Sequence, residues 1–322
     1  TVSRICLGTG SYGSSFSVEN CPAQLDYYYS LGGNFIDTAL IYTDWAPGER
    51  ARAEKIMGKW MKERNNRYEL VLHAKGCHQN YQNPTGDIRT SEPTEFRLHR
   101  KDVFEDVDRT LEILQTDYID IFTLHQDDPS VPVEEIIDAL EDARKSGKIR
   151  YYGCSNWSYK RQKQAYEYAQ SRSLHGFAVD QLCWSVNASN MDTYKRLDNV
   201  YMTDELYRFH QETGIPVMAY SAGGRGFLQK KADGVFIKDS EIEKYENPQN
   251  EKILKVIAEI AEKHGVAIHT AVIRFLLTKR DFDVIPIFAC KTNERVDIVM
   301  DALKFEFDSE DLGKLAEVAR FM

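Results

Sequence analysis

A (β/α)8 TIM barrel, with the whole chain as one domain, is the fold this sequence predicts, and three observations predict it. Eight short apolar runs rich in β-forming residues alternate with longer segments of helical period. No Pro/Gly/Ser-rich linker or shift of composition divides the 322 residues. Polar residues stand at the ends of several runs, and in a parallel barrel all strand ends open on one face. A doubly wound sheet is the alternative that the alternation leaves open.

Taken in order, the first strand is Ser3–Leu7, which runs into Gly8-Thr-Gly-Ser-Tyr-Gly13. A helix over residues 19–31 leads to the second strand, Asn34–Thr38, and a helix over 50–64 stops at the polar turn Asn65-Asn66. The alternating run Tyr68–Lys75 is the third strand. Residues 76–96 are rich in Asn, Pro, Gly and Thr and read as a long mouth loop. A helix over 98–114 precedes the fourth strand, Tyr118–His125. The helix over 133–145, stopped by Ser146-Gly147, precedes the fifth, Arg150–Asn156. A helix over 159–171 leads to the sixth strand, Phe177–Trp184, and a second mouth loop covers 185–201. The helix over 204–212 ends at Gly214 before the seventh strand, Ile215–Ser221; a glycine-rich stretch then opens a third mouth loop, 223–247. Helices over 251–263 and 269–278, the eighth strand Val284–Cys290, and helices over 294–303 and 309–320 complete the chain.

Composition narrows the function. The 42% apolar content can fill a large core. A net charge of −9, with no basic block, argues against nucleic acid or an anionic membrane as partner. There is no apolar run of membrane-spanning length and no signal-peptide pattern, so a cytoplasmic protein is expected. Six cysteines lie far apart without a CxxC, which points to neither zinc nor a disulfide framework. His73, His78 and His125 lack HxH or HExxH spacing, and no metal is expected. Nothing in the sequence specifies an oligomeric state.

Gly8-Thr-Gly-Ser-Tyr-Gly13 matches GxGxxG, but a dinucleotide fingerprint needs its last glycine to open a helix. Here Ser14–Val18 intervenes, so the match reads as a loop at the barrel mouth.

The strand ends supply Asp37 and Tyr42, Lys75, His125, Ser155 and Asn156, and Gln181. A lysine at the end of a buried strand needs a partner, and Asp37 on the neighbouring strand is the candidate. An Asp–Lys pair beside a phenol is expected to lower the tyrosine pKa and polarise its proton, while a histidine holds the incoming oxygen. This is equipment for reducing a carbonyl. The bland alternative is a salt bridge at the barrel mouth with Tyr42 and His125 as packing residues. Trp45, Trp157 and Trp184 follow strand ends and are candidates for a substrate pocket.

Over nearly its whole length the chain resembles the aldo-keto reductases, which are barrels of this kind that use NADPH. The likeness rests on Gly8-Thr9, Asp37-Thr-Ala with Tyr42, the stretch Glu49–Gly58, Ala74-Lys75, Asp117–Asp120 with Leu124-His125, Gly153–Asn156, Gln181 and Ala219–Ser221. The resemblance implies Tyr42 as general acid, Lys75 and Asp37 as its tuners and His125 as the residue that orients the carbonyl. It implies that Ser155, Asn156 and Gln181 bond the nicotinamide carboxamide, that Tyr220 stacks on the ring, and that Ser221 with Gly223, Arg225 and Gly226 meets the pyrophosphate. Gly8, Thr9, Gly10 and Asp37 would border the cofactor. The adenine end departs from the family: Ala289-Cys290 and Val299 stand where a Lys-Ser pair and an Asn are common. Lys291, Thr292, Asn293 and Arg295 are left to bind that end, and Arg295 implies NADPH over NADH.

A second departure is the start of the chain, almost on the first strand and without the family's usual floor-plugging hairpin; completeness of the N-terminus is left open. The substrate is expected to be an aldehyde, ketone or sugar, the polar mouth loops pointing to a hydroxylated one. A non-catalytic nicotinamide-binding redox sensor or regulatory subunit on the same fold is the alternative.

Overall fold

The computed structural model describes residues 2–46, 48–81, 93–190, 199–278 and 280–322. Among them are the strands β1 (Cys6–Gly8), β2 (Phe35–Asp37), β3 (Val71–Gly76), β4 (Asn80–Tyr81), β5 (Pro93–Glu95), β6 (Ile119–Leu124), β7 (Ile149–Ser155), β8 (Asp180–Cys183), β9 (Val217–Tyr220) and β10 (Val284–Phe288). Eight of these form a closed parallel barrel in the order β1-β10-β9-β8-β7-β6-β3-β2, while β4 and β5 pair antiparallel apart from it. No helix among the described residues is long and apolar enough to cross a membrane.

By internal contacts the chain divides into two compact units, Thr1–Gln181 and Leu182–Met322. The first holds α1 (Cys21–Ser30), α2 (Arg52–Arg64), α3 (Arg100–Leu114), α4 (Val133–Lys145) and α5 (Tyr159–Ser171). In α4, Val133, Ile136, Ile137 and Leu140 fall on one buried stripe. Glu134 and Glu135 in its first turn and Arg144 and Lys145 in its last complement the helix dipole. Register places the chemistry: Asp37 lies opposite His73, and Lys75 opposite Thr123. His73 and Lys75 are two residues apart on β3 and therefore face the same side. Only glycine fits at Gly153, where a Cβ would lie 2.5 Å from the Val179 carbonyl oxygen.

The second unit holds α6 (Asp204–Thr213), α7 (Phe227–Asp233), α8 (Asp239–Tyr245), α9 (Pro248–His264), α10 (Ile268–Leu276), α11 (Asn293–Met300) and α12 (Ser309–Val318). Helix α9 is bounded by an Asn247 side-chain cap, a proline at its start and a left-handed Gly265 at its end.

The three mouth loops differ from expectation. The first contains the β4–β5 pair, and residues 82–92 of it lie outside the described residues. Of the second, 191–198 lie outside, and Tyr201 bridges Cys183. The third is largely helical, because its apolar residues dock: Phe227 and Leu228 in α7 and Tyr245 in α8 are buried. The third strand also starts later than expected, since Arg67–Glu69 forms a 3-10 turn before Val71. After the GxGxxG match no helix begins at Gly13; a 3-10 turn at Val18–Asn20 precedes α1.

Candidate active site

Asp37 is the centre of the first unit's polar cluster. Tyr42 Oη donates to its Oδ2 at 3.0 Å, while Oδ1 accepts from His73 Nδ1 at 2.7 Å and Gln181 Nε2 at 2.9 Å. The Lys75 ammonium also bonds Oδ1, and Lys75 is fully buried. Burial alone would raise the Asp37 pKa, but the charge of Lys75 and the bond from His73 outweigh it and hold the carboxyl far below its usual range. Lys75 is pushed down by burial against the restraining charge of Asp37.

His73 completes this cluster in a way the sequence reading missed. Its Nδ1 faces a carboxylate and so carries the proton, and its Nε2 is 2.6 Å from Thr123 Oγ1. Burial lowers its pKa despite Asp37, leaving a neutral ring. The available signal was its spacing of two from Lys75 on one strand.

The Tyr42 pKa runs opposite to the expected direction. Burial raises it well above the ordinary phenol value, and the charge of Asp37 and the bond Tyr42 donates to it add to the rise. Lys75 Nζ lies over the ring, 4.7 Å from its centroid, rather than at the hydroxyl. The carboxylate therefore dominates at the phenol.

His125 stands beside Tyr42, ring centroids 5.9 Å apart at 77°. Burial, then His78 and Lys75, drive its pKa well below the ordinary histidine value, so it is neutral. Among the described residues its Nδ1 has no hydrogen-bond partner. Asn156, in the left-handed region at φ 60°, donates Nδ2 to the His125 carbonyl at 3.2 Å and to Ser155 Oγ at 3.1 Å. Thr9 donates its N–H and Oγ1 to the Asp37 carbonyl, at 2.9 and 3.0 Å, and so holds the backbone that carries the carboxylate. Gly8 is the register partner of Asp37, and Gly10 lies against the Tyr42 ring.

The tryptophans separate. Trp45 is edge-on to Tyr42 at 6.2 Å. Trp157 is a correction: it is fully buried against Phe177 at 5.1 Å, with Arg161 over its ring, and is a core residue. Trp184, in the second unit, packs against Tyr207, Phe282 and Phe321 and borders a cavity of about 430 Å³ with Tyr201 and Tyr245.

The other cofactor candidates belong to the second unit. Tyr220 ends β9, and Ser221 follows at φ 54°. Gly224–Gly226 is a 3-10 turn with Arg225 at φ 55° and exposed. A Cβ on Gly223 would lie 2.2 Å from His269 Cε1, and one on Gly224 2.5 Å from Asn187 Oδ1. Lys291, Thr292 and Arg295 are exposed at the start of α11. His269 is driven down to about 4 by burial and then by Arg295 and Lys230, so the same ring borders the glycine loop and feels the arginine.

A closed parallel barrel with this Asp–Tyr–Lys–His cluster defines a class, and the chain belongs to the aldo/keto reductase family, which it matches over residues 4–320. It is 30% identical to a norsolorinic acid reductase of Emericella nidulans over 99% of this chain and 79% of that protein. It is 26% identical to an aryl-alcohol dehydrogenase of Pestalotiopsis microspora (98% and 78% covered) and to protein tas of Escherichia coli (98% and 94%). Among solved structures it is similar in fold to a thermostable aldo-keto reductase solved with the inhibitor epalrestat, at TM-score 0.70 and 21% identity over 99% of this chain and 96% of that one. Membership makes the protein an oxidoreductase of carbonyl compounds, in a family that uses nicotinamide cofactors.

Proposed function

We propose that the protein is an NADPH-dependent carbonyl reductase in which Tyr42 is the general acid. The observation that carries this reading is the Tyr42 hydroxyl on an Asp37 carboxylate shared with buried Lys75, beside a neutral His125. A raised phenol pKa suits the role: Tyr42 keeps its proton at neutral pH and surrenders it only to the far more basic alkoxide. Lys75 stabilises the resulting phenolate, and Asp37 keeps Lys75 charged. His125 orients the carbonyl oxygen against the Tyr42 hydroxyl.

The second unit's residues fit an anionic dinucleotide, since Gly223 and Gly224 have no room for side chains and Arg225, Lys291 and Arg295 are exposed cations. When bound, the nicotinamide supplies the hydride. Ser155, Asn156 and Gln181 are assigned to its carboxamide, Tyr220 to its ring face, and Ser221 with Gly223, Arg225 and Gly226 to the pyrophosphate. Lys291, Thr292 and Arg295 are assigned to the adenosine 2′-phosphate, hence the preference for NADPH.

The rings of Trp45 and His125 beside Tyr42 favour a flat carbonyl such as an aryl aldehyde or ketone over a sugar. The name of the aryl-alcohol dehydrogenase relative points the same way.

The test is turnover with NADPH and NADH against aryl carbonyls, aliphatic aldehydes and sugars, for the native chain and Tyr42→Phe. The variant is expected to lose about 10²- to 10⁴-fold in kcat with cofactor affinity intact. An undiminished rate would remove Tyr42 from the role. If neither protein turns over any substrate while both bind NADPH, the protein is the non-catalytic sensor instead.

A further inference from the structure

The residue after β3 adopts a conformation that needs a cause. Cys77 has φ 59°, the left-handed region that a side chain with a Cβ avoids. Its N–H donates to Asp106 Oδ2 at 2.7 Å, and Asp106 Oδ1 accepts from Arg97 at 2.8 Å. Arg97 is further held by Asp102 and Glu105. An ion-paired carboxylate on α3 thus clamps a strained turn, a pattern found where a side chain must be aimed.

The side chain so aimed is His78. Its ring meets the His125 ring at 4.8 Å and 84°, closer than Tyr42 does. His78 Nδ1 faces the Gln79 carbonyl at 3.0 Å, so the proton sits on Nδ1 and the ring plane is fixed. Among the described residues His125 is secured by its backbone, through its N–H on the Gly76 carbonyl and Asn156 on its own carbonyl. Among the described residues its Nδ1 meets no acceptor or donor of the kind that commonly locks a functional histidine. Packing must do that work, and among the described residues the rings that meet it are Tyr42, which moves its proton, and His78.

We propose that His78 is a positioning residue for His125: the Arg97–Asp106–Cys77 clamp sets the His78 ring perpendicular to His125 and so fixes the ring that orients the substrate carbonyl. The inference rests on the role given to His125 above. It makes the contact between the rings, rather than imidazole chemistry at His78, the operative feature. His78 also borders an open cavity of about 250 Å³ with Leu40 and Ile41, so shape at this corner reaches the turn that carries Tyr42.

The experiment compares the native chain, His78→Ala and His78→Phe. In the cofactor-free protein the His125 ring resonances, assigned by their absence in His125→Gln, report its order. A single sharp set is expected in the native chain and His78→Phe, and broadened or doubled signals in His78→Ala. In turnover with NADPH, His78→Ala is expected to lose at least about tenfold in kcat, with cofactor affinity unchanged and His78→Phe within about threefold of native. Unchanged His125 resonances in His78→Ala would overturn the proposal, and so would His78→Phe failing as badly as His78→Ala. If even the native chain turns over nothing, the functional reading falls while the resonances still decide whether His78 orders His125.

Discussion

The two units present their candidate functional groups in opposite ways. In the first, Asp37 and Lys75 are buried, and the carboxylate takes four donors from Tyr42, His73, Lys75 and Gln181. In the second, Arg225, Lys291 and Arg295 are exposed and, among the described residues, form no ion pair. A charge taken out of water must be paired before any ligand arrives, so the first arrangement is built by folding. Exposed cations carry no such demand and can take their order from a bound anion. On the proposed function, the first unit is preorganised for chemistry and the second equipped for recognition.

The largest effect that could break this contrast is on stability. Asp37→Asn leaves Lys75 buried without its counter-charge, and a loss of about 3–5 kcal/mol is expected from removing one partner of a buried pair. Arg295→Leu is expected to stay within about 0.5 kcal/mol of native, as a surface substitution does. Urea denaturation of both variants checks the pair. A loss below about 1 kcal/mol for Asp37→Asn would mean that Lys75 finds another partner or sheds its proton at little cost.

Acid should also act on the first unit before the second. His73, His78 and His125 all have folded pKa values below the ordinary value, with burial the leading cause, and His78 lies at about 4. The unfolded chain, with histidines near about 6.5, binds more protons between that value and the folded one. The stability from these rings is therefore complete above pH 6.5 and is lost as pH falls toward 4. Asp37, depressed below its unfolded value, keeps its contribution until lower pH and then loses it as the carboxylate protonates. The second unit carries one histidine shifted in this way, His269, among the described residues. Amide exchange at pH 7 and pH 4.5 should show protection falling more in β3 and β6 than in α9 and α10. Equal loss in both sets would remove the distinction.

What could be read from the sequence follows the same division. Strand ends converge in a barrel and a buried lysine demands a carboxylate, so Asp37, Tyr42, Lys75 and His125 were legible as one group without any contact being known. His73 escaped because it was weighed only against metal-ligand spacing, although its spacing of two from Lys75 put it on the same face. The direction of the Tyr42 pKa was misread because proximity to Lys75 was assumed to mean contact with the hydroxyl; which of two opposite charges touches the oxygen is a matter of ångströms. Helices α7 and α8 were hidden by Gly223, Gly224 and Gly226, which dominate the local composition, while buried Phe227, Leu228 and Tyr245 marked the docked faces.

The smallest expected effect concerns the exposed group alone. If Arg295 is set by its ligand, Arg295→Leu should leave the fold, the Tyr42 chemistry and NADH binding as they are. It should weaken NADPH about tenfold, or about 1.4 kcal/mol, the order of a charge-assisted bond to one phosphate. Fluorescence titration of native and variant protein with both cofactors measures this directly. Because the two cofactors differ only in the 2′-phosphate, a loss confined to NADPH locates Arg295 at that group. An equal loss for both would place it on the shared pyrophosphate, near the His269 ring whose pKa its charge helps to lower. No loss for either would move phosphate recognition to Lys291 and Thr292 at the start of α11, where backbone N–H groups can take an anion without a guanidinium.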